Sequence, residues 1–356
     1  MELKKRMNAF IQLGEIITCF LSNTKNNILA DKYAEKLRQA IAKSHYQNGW
    51  FTDENVRKAL FSISLMLEKE KMEQWLTAYE HQFISNKGNK KVGVIMAGNI
   101  PLVGFHDMLC VLISENIFVG KLSSSDSILI SLLAEILIEI NADFKDKIVF
   151  TDNRLPAIDA VIATGSNNSS RYFDYYFKKY PHIIRKNRTS VAVLNGAENA
   201  NDLALLGEDV FSYFGLGCRN VSKLFFPKDY NVNLLYEAFY SFNSVINNHK
   251  YANNYDYNKT IYLMRQDIFL DNNFLILKED KSFASPVAVL FFEYYSDEKS
   301  LNEKLIFEKE NIQCCLSAEK NKFSTLKFGT SQQPELWDYA DGVDTLKFLL
   351  SDDFVR

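Results

Sequence analysis

Cys218 is the residue of this 356-residue chain whose surroundings best suit covalent chemistry. It stands in the run Gly215-Leu-Gly-Cys-Arg-Asn220, between a predicted helix at 201–214 and a predicted strand at 223–226. The two glycines allow the backbone to approach a substrate closely and to adopt strained angles. A thiolate here can attack a carbonyl carbon and form a thioester, and Arg219 could favour the thiolate. A buried structural cysteine is the competing interpretation, because that is the commonest fate of a free cysteine.

Asn99 is a second candidate, in the run Gly98-Asn-Ile-Pro101 after a predicted strand. Its side-chain amide, together with a backbone N–H, could donate to an oxyanion that develops during attack on a carbonyl. Asn and Pro both favour turns, so a purely structural turn is the alternative. The local sequence leaves the two interpretations open.

Three further stretches suit a phosphorylated cofactor. Lys121 follows a predicted strand and precedes Ser123-Ser-Ser-Asp126, so it could reach a ribose or phosphate, or simply be a solvated lysine. Thr164-Gly-Ser166 precedes a predicted helix, whose first amides can bind an anion, although Ser also caps helices. The basic run Arg185-Lys-Asn-Arg188 could hold a phosphate of the cofactor or of a thioester carrier, or form an exposed loop.

The predicted elements place these residues at strand ends. Apolar residues recur at helical spacing through residues 1–85, with Thr52 as a helix start, and the polar run 85–91 predicts a linker. Strands then alternate with helices, which indicates a parallel sheet covered on both faces. Ligands bind at the carboxyl edge of such sheets. The predicted strands are 92–97, 116–122, 147–151, 157–163 and, as the fifth, 191–194.

We therefore expect an α/β fold with a Rossmann-like parallel-sheet cofactor domain, an α/β catalytic domain that carries Cys218, and a helical N-terminal segment. A later strand is predicted at 287–294, and Cys314-Cys315 are interpreted as strand residues. The expected boundaries are 1–88 for the helical segment, 89–196 for the cofactor domain, 197–330 for the catalytic domain, and 331–356 for a C-terminal segment that returns to the cofactor domain or forms an oligomer interface.

Composition excludes several classes of function. The 41 basic and 44 acidic side chains leave a net charge of −3, so no global field favours nucleic acid or an anionic membrane. The N-terminus reads as neither a signal peptide nor a membrane span, and no apolar run is long enough to cross a bilayer. The odd number of cysteines, five, suits a reducing cytoplasm better than a disulfide framework. No metal-ligand spacing is present, and we expect no metal.

Taken in order, the motifs resemble the aldehyde dehydrogenase superfamily, and within it the fatty acyl-CoA reductases of the LuxC type. The resemblance extends from about residue 92 to residue 287. Its matching positions are Asn99-Ile-Pro-Leu102 for the oxyanion segment, Lys121 for the lysine that contacts the adenosine ribose, Ser124 for the cofactor-selecting position, Thr164-Gly-Ser166 for the pyrophosphate helix, Gly217-Cys218 for the nucleophile loop, and Ser285-Pro-Val287 for a Gly-Pro-Val region.

The resemblance implies a function and a set of roles. Cys218 would be the nucleophile and Asn99 an oxyanion donor, in the reduction of a long-chain acyl thioester to an aldehyde. NADPH is the implied cofactor, with NADH possible, because the uncharged Ser124 would admit a 2′-phosphate. The implied partners are an acyl-CoA or acyl carrier protein substrate and further copies of the chain. The implied cofactor-binding residues are Lys121, Ser123, Ser124, Thr164, Gly165 and Ser166.

Two departures from the superfamily pattern qualify these roles. Aldehyde oxidisers carry a glutamate after the fifth strand, in Glu-Leu-Gly-Gly, which activates the hydrolytic water. Here we align that position with Val193-Leu-Asn-Gly196, which holds no acid, so the acyl enzyme should not be hydrolysed. The glutamate that holds the nicotinamide ribose is also missing, in Ser282-Phe-Ala-Ser-Pro286.

Alternative functions are an aldehyde oxidiser of the same fold, another reductase of activated carboxyl groups, and a non-catalytic cofactor-binding subunit. His106 and Asn220 are possible supporting polar groups, although a histidine on a helix is more often structural.

Overall fold

The computed structural model describes residues 1–25, 27–86, 88–152, 154–165, 167–319 and 323–351. The chain forms two compact units. The first unit is Met1–Lys186 together with Gln333–Arg356, and the second is Asn187–Gln332. No helix among the described residues is both long and apolar enough to cross a membrane.

Five helices begin the first unit, as the apolar spacing predicts. Asn27 caps the second of them by accepting from Leu29 N and Ala30 N, and Thr52 caps the third by accepting from Asn55 N. The inward faces are apolar, with Phe10 and Trp75 among the largest fully buried side chains. The helices are α1 Leu3–Ser22, α2 Ile28–Gln47, α3 Asp53–Met66, α4 Lys69–Thr77 and α5 Glu80–Ser85.

A five-stranded parallel sheet comes next in the chain, with helices in its crossovers. The strands are β1 Lys91–Ile95, β2 Ile117–Lys121, β3 Ile148–Thr151, β4 Ala160–Thr164 and β5 His182–Arg185, in the order β3-β2-β1-β4-β5. The helices are α6 Phe105–Ile113, α7 Ile128–Ile140 and α8 Asn167–Phe177. The strand order reverses between β1 and β4, and ligands of open parallel sheets bind at the carboxyl ends of the strands at such a reversal.

The second unit contains a seven-stranded sheet in the order β12-β11-β6-β7-β10-β9-β8, with every pairing parallel except β8 with β9. Its strands are β6 Thr189–Val193, β7 Val221–Pro227, β8 Leu270–Asp271, β9 Ile276–Glu279, β10 Val289–Tyr295, β11 Ile312–Ser317 and β12 Leu326–Lys327. Its helices are α9 Ala200–Phe211, α10 Val232–Phe239, α11 His249–Arg265 and α12 Glu298–Phe307. The strand interpretation of Cys314 and Cys315 is confirmed, because both are buried in β11.

The prediction of residues 191–194 as the fifth strand of the first sheet was wrong. That segment is β6, which pairs with β7 and β11 in the second sheet, and the fifth strand of the first sheet is β5. Both segments are short and apolar at their centres, so local pattern indicates a strand without indicating the sheet it joins. β5 has only two apolar residues, between His182 and Arg185, so its strand pattern is weak.

A buried ion pair joins three elements of the first unit. Asp107 of α6 accepts two hydrogen bonds, both 2.7 Å, from the guanidinium of Arg185 at the end of β5. Arg185 also donates to Thr345 Oγ1 at 2.9 Å, at the start of the last helix, α13 Thr345–Leu350. Both charged side chains are buried, 2% and 7% exposed. The pair therefore holds the C-terminal segment on the sheet of the first unit.

Removing one partner of this pair should destabilise the protein strongly. We expect Asp107→Ala to lower the free energy of unfolding by about 3–5 kcal/mol, because it leaves the Arg185 charge buried without its partner. The double variant Asp107→Leu/Arg185→Met should recover most of that loss, because no charge then stays buried. Urea unfolding of the three proteins measures both effects, and a loss below about 1 kcal/mol in Asp107→Ala would contradict this account.

Candidate functional site

Cys218 lies in a tight turn between α9 and β7 of the second unit, and its side chain is exposed. The competing interpretation, a buried structural cysteine, therefore does not describe this residue. Just before it, Tyr213, Phe214 and Gly215 all have positive φ, at 51°, 57° and 76°. Left-handed backbone costs a non-glycine residue about 1 kcal/mol or more and persists only where the surroundings hold it.

Asn220 supplies much of that restraint. Its side chain is 1% exposed and makes three hydrogen bonds to the backbone. Oδ1 accepts from Gly217 N at 2.8 Å, while Nδ2 donates to the carbonyls of Asp209 (3.0 Å) and Ser212 (2.8 Å). Asn220 thus ties the Cys218 turn to the end of α9. It supports the turn through the backbone, as a positioning residue.

Two further hydrogen bonds hold the same turn. Ser190, on β6, donates its hydroxyl to the carbonyl of Cys218 at 3.0 Å. Arg219 donates Nε to the carbonyl of Ser331 at 2.5 Å. The exposed thiol is therefore carried on a backbone fixed to a strand, a helix and a neighbouring loop.

Asp209 is a buried carboxylate that the sequence reasoning missed. Its two oxygens accept from Gly329 N (2.6 Å) and Ser331 N (3.0 Å), so it holds the loop that receives Arg219. Burial raises the pKa of Asp209 to about 6, although these hydrogen bonds act in the opposite direction. No local signal distinguishes it from other acids on a helix, because its partners lie about 120 residues later in the chain.

In the first unit, the structure gathers the remaining predicted residues at the carboxyl edge of the five-stranded sheet. Lys121 ends β2 and pairs in register with Ile95, the last residue of β1. Asn99 is exposed on the loop after β1, and Ser124 is exposed on the loop after β2. The two loops are in direct contact, because a Cβ at Gly98 would collide with the Ser123 hydroxyl.

The third part of this edge is the end of β4. Ala163 pairs with Ile95, which places Thr164 and Gly165 next to the loop that carries Asn99. Gly165 packs against α8, where a Cβ would lie 2.9 Å from Phe173 and Ser169. Ser166, the last predicted cofactor residue, lies outside the described residues. Asn99 and Cys218 belong to different units.

Asp126 is a second buried carboxylate that the sequence reasoning did not single out. It comes after the serine run beyond β2, is 5% exposed, and its Oδ2 accepts from Leu102 N at 2.7 Å. Leu102 has a φ of 60°, so this bond restrains a strained position in the loop that carries Asn99. Burial raises the pKa of Asp126 to about 7, partly offset by the Leu102 hydrogen bond.

Two other candidate groups have structural roles. Arg185 of the basic run ends β5 and is buried against Asp107, so neither alternative left open by the sequence, a phosphate site or an exposed loop, describes this arginine. Arg188, at the end of the same run, belongs to the second unit, where its Nη2 lies 3.5 Å from Oε2 of Glu310. His106 contacts the carbonyl of Leu336 through Nε2 at 2.9 Å, and burial lowers its pKa.

The observed fifth strand moves the position expected for a glutamate. Residues Lys186-Asn-Arg188 come directly after β5, and they also include no acid. Glu198, the acid nearest to residues 193–196, accepts from Asn195 N at 2.6 Å, beyond the carboxyl end of β6. Because β6 and β7 are parallel and Ser190 pairs with Val221, Cys218 lies at the opposite end of these strands.

The carboxyl edge of the five-stranded sheet has three features that suit the binding of a dinucleotide. Gly98 and Gly165 sit where a side chain would collide, so the loops are close-packed with backbone at the surface. The helix α8 begins directly after this loop, and helix N-termini attract phosphates. In the run after β2, the exposed side chain is the hydroxyl of Ser124, since the one acid, Asp126, is turned inward.

The chain is similar to known proteins in sequence and in structure. A family model described as "Acyl-CoA reductase (LuxC)" matches residues 9–236, more than half of the chain. No curated protein matches it.

Among solved structures, aldehyde dehydrogenase 21 from Physcomitrella patens, in complex with the reaction product succinate, has a TM-score of 0.63 at 12% identity, over 98% of this chain and 84% of that one. The aldehyde dehydrogenase KauB from Pseudomonas aeruginosa has a TM-score of 0.63 at 11% identity, over 92% and 76%. An aldehyde dehydrogenase from Mycobacterium tuberculosis, complexed with NAD+, has a TM-score of 0.56 at 12% identity, over 89% and 73%. The fold is therefore that of the aldehyde dehydrogenases.

The titration of Asp126 should be visible in the stability of the protein. Its pKa is higher in the folded state, about 7, than the ordinary value of 3.8, so its contribution to stability falls as pH rises from about 4 to about 7. Asp126→Asn keeps an acceptor for Leu102 N and removes this titration. The free energy of unfolding of the variant, minus that of the wild type, should rise by on the order of 2–4 kcal/mol between pH 4 and pH 8.

Urea unfolding across this pH range measures the difference. Asp143→Asn, at an exposed aspartate of the same unit, is the matched control and should give a nearly constant difference. An equally constant difference for Asp126→Asn would contradict the assignment.

Proposed function

The chain belongs to the acyl-CoA reductase (LuxC) family, and we propose that it reduces a long-chain fatty acyl thioester to the aldehyde with NADPH, through an acyl enzyme on Cys218. The family and the fold make it an oxidoreductase that acts on aldehydes or acyl thioesters. The observation that carries the proposal is the exposed thiol of Cys218 on a turn held by Asn220 and Ser190. A fixed, accessible thiol can attack a carbonyl in a set direction.

The first step forms the acyl enzyme. The Cys218 thiolate attacks the carbonyl carbon of the thioester, and the C–S bond to the carrier thiol then breaks, so the carrier leaves as a thiol after it gains a proton. The Asn99 amide is assigned the role of an oxyanion donor for the tetrahedral intermediate. Arg219, whose Nε donates to the carbonyl of Ser331, follows Cys218 in the chain, and its positive charge is assigned the role of favouring the thiolate.

The second step consumes the acyl enzyme. NADPH, if bound, would supply a hydride to the acyl carbon, and the role of Cys218 would then be to leave as the thiolate when its bond to that carbon breaks and the aldehyde is released. The residues assigned to hold the cofactor are Lys121, Ser123, Ser124, Thr164, Gly165 and Ser166. The uncharged Ser124 supports NADPH over NADH, because a carboxylate there would repel a 2′-phosphate.

Reduction is favoured over aldehyde oxidation by the residues directly after β5. Hydrolysis of an acyl enzyme needs a base that activates water, and Lys186-Asn-Arg188 offers only cations and an amide. An aldehyde oxidiser of the same fold is the second candidate, and the absent acid argues against it. The carrier is CoA or an acyl carrier protein, and we expect the protein to act as a homo-oligomer.

Loss of the thiol should separate chemistry from cofactor binding. We expect Cys218→Ala to abolish acyl-enzyme formation and NADPH oxidation while NADPH still binds, because the residues assigned to the cofactor lie in the first unit. Cys19→Ala, at a partly buried cysteine of α1, is the control and should behave like the wild type. NADPH oxidation across acyl-CoA chain lengths and mass spectrometry of the acyl enzyme measure this. Near wild-type turnover by Cys218→Ala would end the proposal.

The role of Asn99 predicts a distinct kinetic effect. Asn99→Ala should reduce the rate of acylation by about 10²–10³-fold with little change in KM, because an oxyanion donor acts mainly in the transition state. Asn233→Ala, at an exposed asparagine of α10, is the control and should leave the rate unchanged. Single-turnover acylation kinetics measure the effect. If Asn99→Ala lowered the stability of the protein and left the rate intact, Asn99 would be a turn residue only.

A further inference from the structure

The C-terminal end of α2 reaches the loops at the carboxyl edge of the first sheet. Gln47 donates Nε2 to the carbonyl of Ser124 at 2.7 Å and to the hydroxyl of Ser127 at 2.9 Å. The next residue, Asn48, is 7% exposed and donates Nδ2 to the carbonyl of Gly98 at 3.3 Å. Two adjacent amides from the N-terminal helices therefore bind the loop after β2 and the loop after β1.

Helix α7 contacts the helix that carries Gln47, and the Asn48 side chain is hydrogen-bonded to the chain that follows it. Helix α2 lies against α7, with Lys32–Glu139 and Lys36–Glu135 ion pairs of 2.6 Å along their length. Beyond the end of α2, Asn48 Oδ1 accepts from Trp50 N at 3.2 Å. Because Gln47 belongs to a helix that is paired with α7, it can position the loop to which it donates its hydrogen bonds.

The charge around Ser124 is the second observation. Ser123 and Ser125 flank it, and the carboxylate of Asp126 is turned inward onto Leu102 N. The amide of Gln47, at hydrogen-bond distance from the Ser124 carbonyl, is also uncharged. A group beside Ser124 thus meets no carboxylate from this run or from Gln47.

We propose that Gln47 is a positioning and specificity residue for the cofactor. Its amide fixes the backbone at Ser124 and, being uncharged, adds no negative charge beside it, so that the 2′-phosphate of NADPH is accepted there. The inference rests on the proposed function, which assigns Ser124 to the adenosine ribose. It adds a contribution from the N-terminal helices that no motif in the sequence indicates.

Gln47→Glu tests this assignment with an almost isosteric change. The carboxylate loses the donors to Ser124 and Ser127 and adds a negative charge beside Ser124. We expect the Kd of the purified 356-residue chain for NADPH to rise about tenfold or more, and the Kd for NADH to rise less than about threefold, because only NADPH carries the phosphate dianion. Fluorescence of the bound dinucleotide, without acyl substrate, measures both values.

Gln39→Glu is the matched control. Gln39 lies two turns earlier on α2 and is exposed, so the variant has the same change in net charge at a distance from Ser124. Both Kd values should change less than about twofold, since surface charges that are far apart are screened. The excess effect of Gln47→Glu on NADPH should shrink in about 0.5 M salt, where screening is stronger.

A substitution that adds a positive charge at the same position provides a second test if the Gln47→Glu variant does not fold. Gln47→Lys should lower the ratio of the NADPH Kd to the NADH Kd severalfold, because the added cation attracts the phosphate. Equal changes in both Kd values, or an unchanged ratio in both variants, would overturn the specificity role. If the wild type bound neither dinucleotide, the proposed function would fail first and this inference with it.

Discussion

The parallel register of the five-stranded sheet is the constraint on which the first unit depends. Ile95, Lys121 and Ala163 pair side by side, so three strands end at one level and the loops after them must share one edge. The order reversal between β1 and β4 separates the crossover helices there and leaves room for a ligand. The small residues at this edge are a consequence of that geometry, because Gly98 and Gly165 have no space for a side chain.

Buried polar side chains, more than apolar packing, shape the two candidate sites. Asn220 holds the backbone around Cys218, Asp209 holds the loop that receives Arg219, and Asp126 holds the loop that carries Asn99. A buried polar group costs free energy unless it is hydrogen-bonded, so each of these side chains specifies one backbone conformation. These hydrogen bonds fix backbone atoms directly, so they can hold Tyr213 and Leu102 in left-handed backbone conformations, as apolar contacts alone would not.

The basic residues 185–188, at the end of β5, show that the role of a sequence segment depends on the sheet it joins. The sequence allowed Arg185 to be a phosphate ligand or part of an exposed loop, and it is a buried partner of Asp107. The same reassignment moved the position of the expected glutamate from 193–196 to the residues after β5, which again hold no acid. Neither segment therefore supplies the acid that hydrolysis of an acyl enzyme needs, and this favours a reductase. The fold decides which of the two segments corresponds to the glutamate position.

The sequence by itself determined the class of fold, the helical N-terminus, the cysteine in its glycine turn and the alternation of strands with helices. These depend on short-range pattern, since hydrophobic period and turn chemistry are properties of neighbouring residues. Which sheet β6 joins, why Asp209 and Asp126 are buried, and that Gln47 reaches Ser124 were decided only by tertiary structure. The physical reason is separation along the chain: the Gln47–Ser124 and Asp209–Ser331 contacts join residues 77 and 122 positions apart, and no local propensity encodes such a pairing.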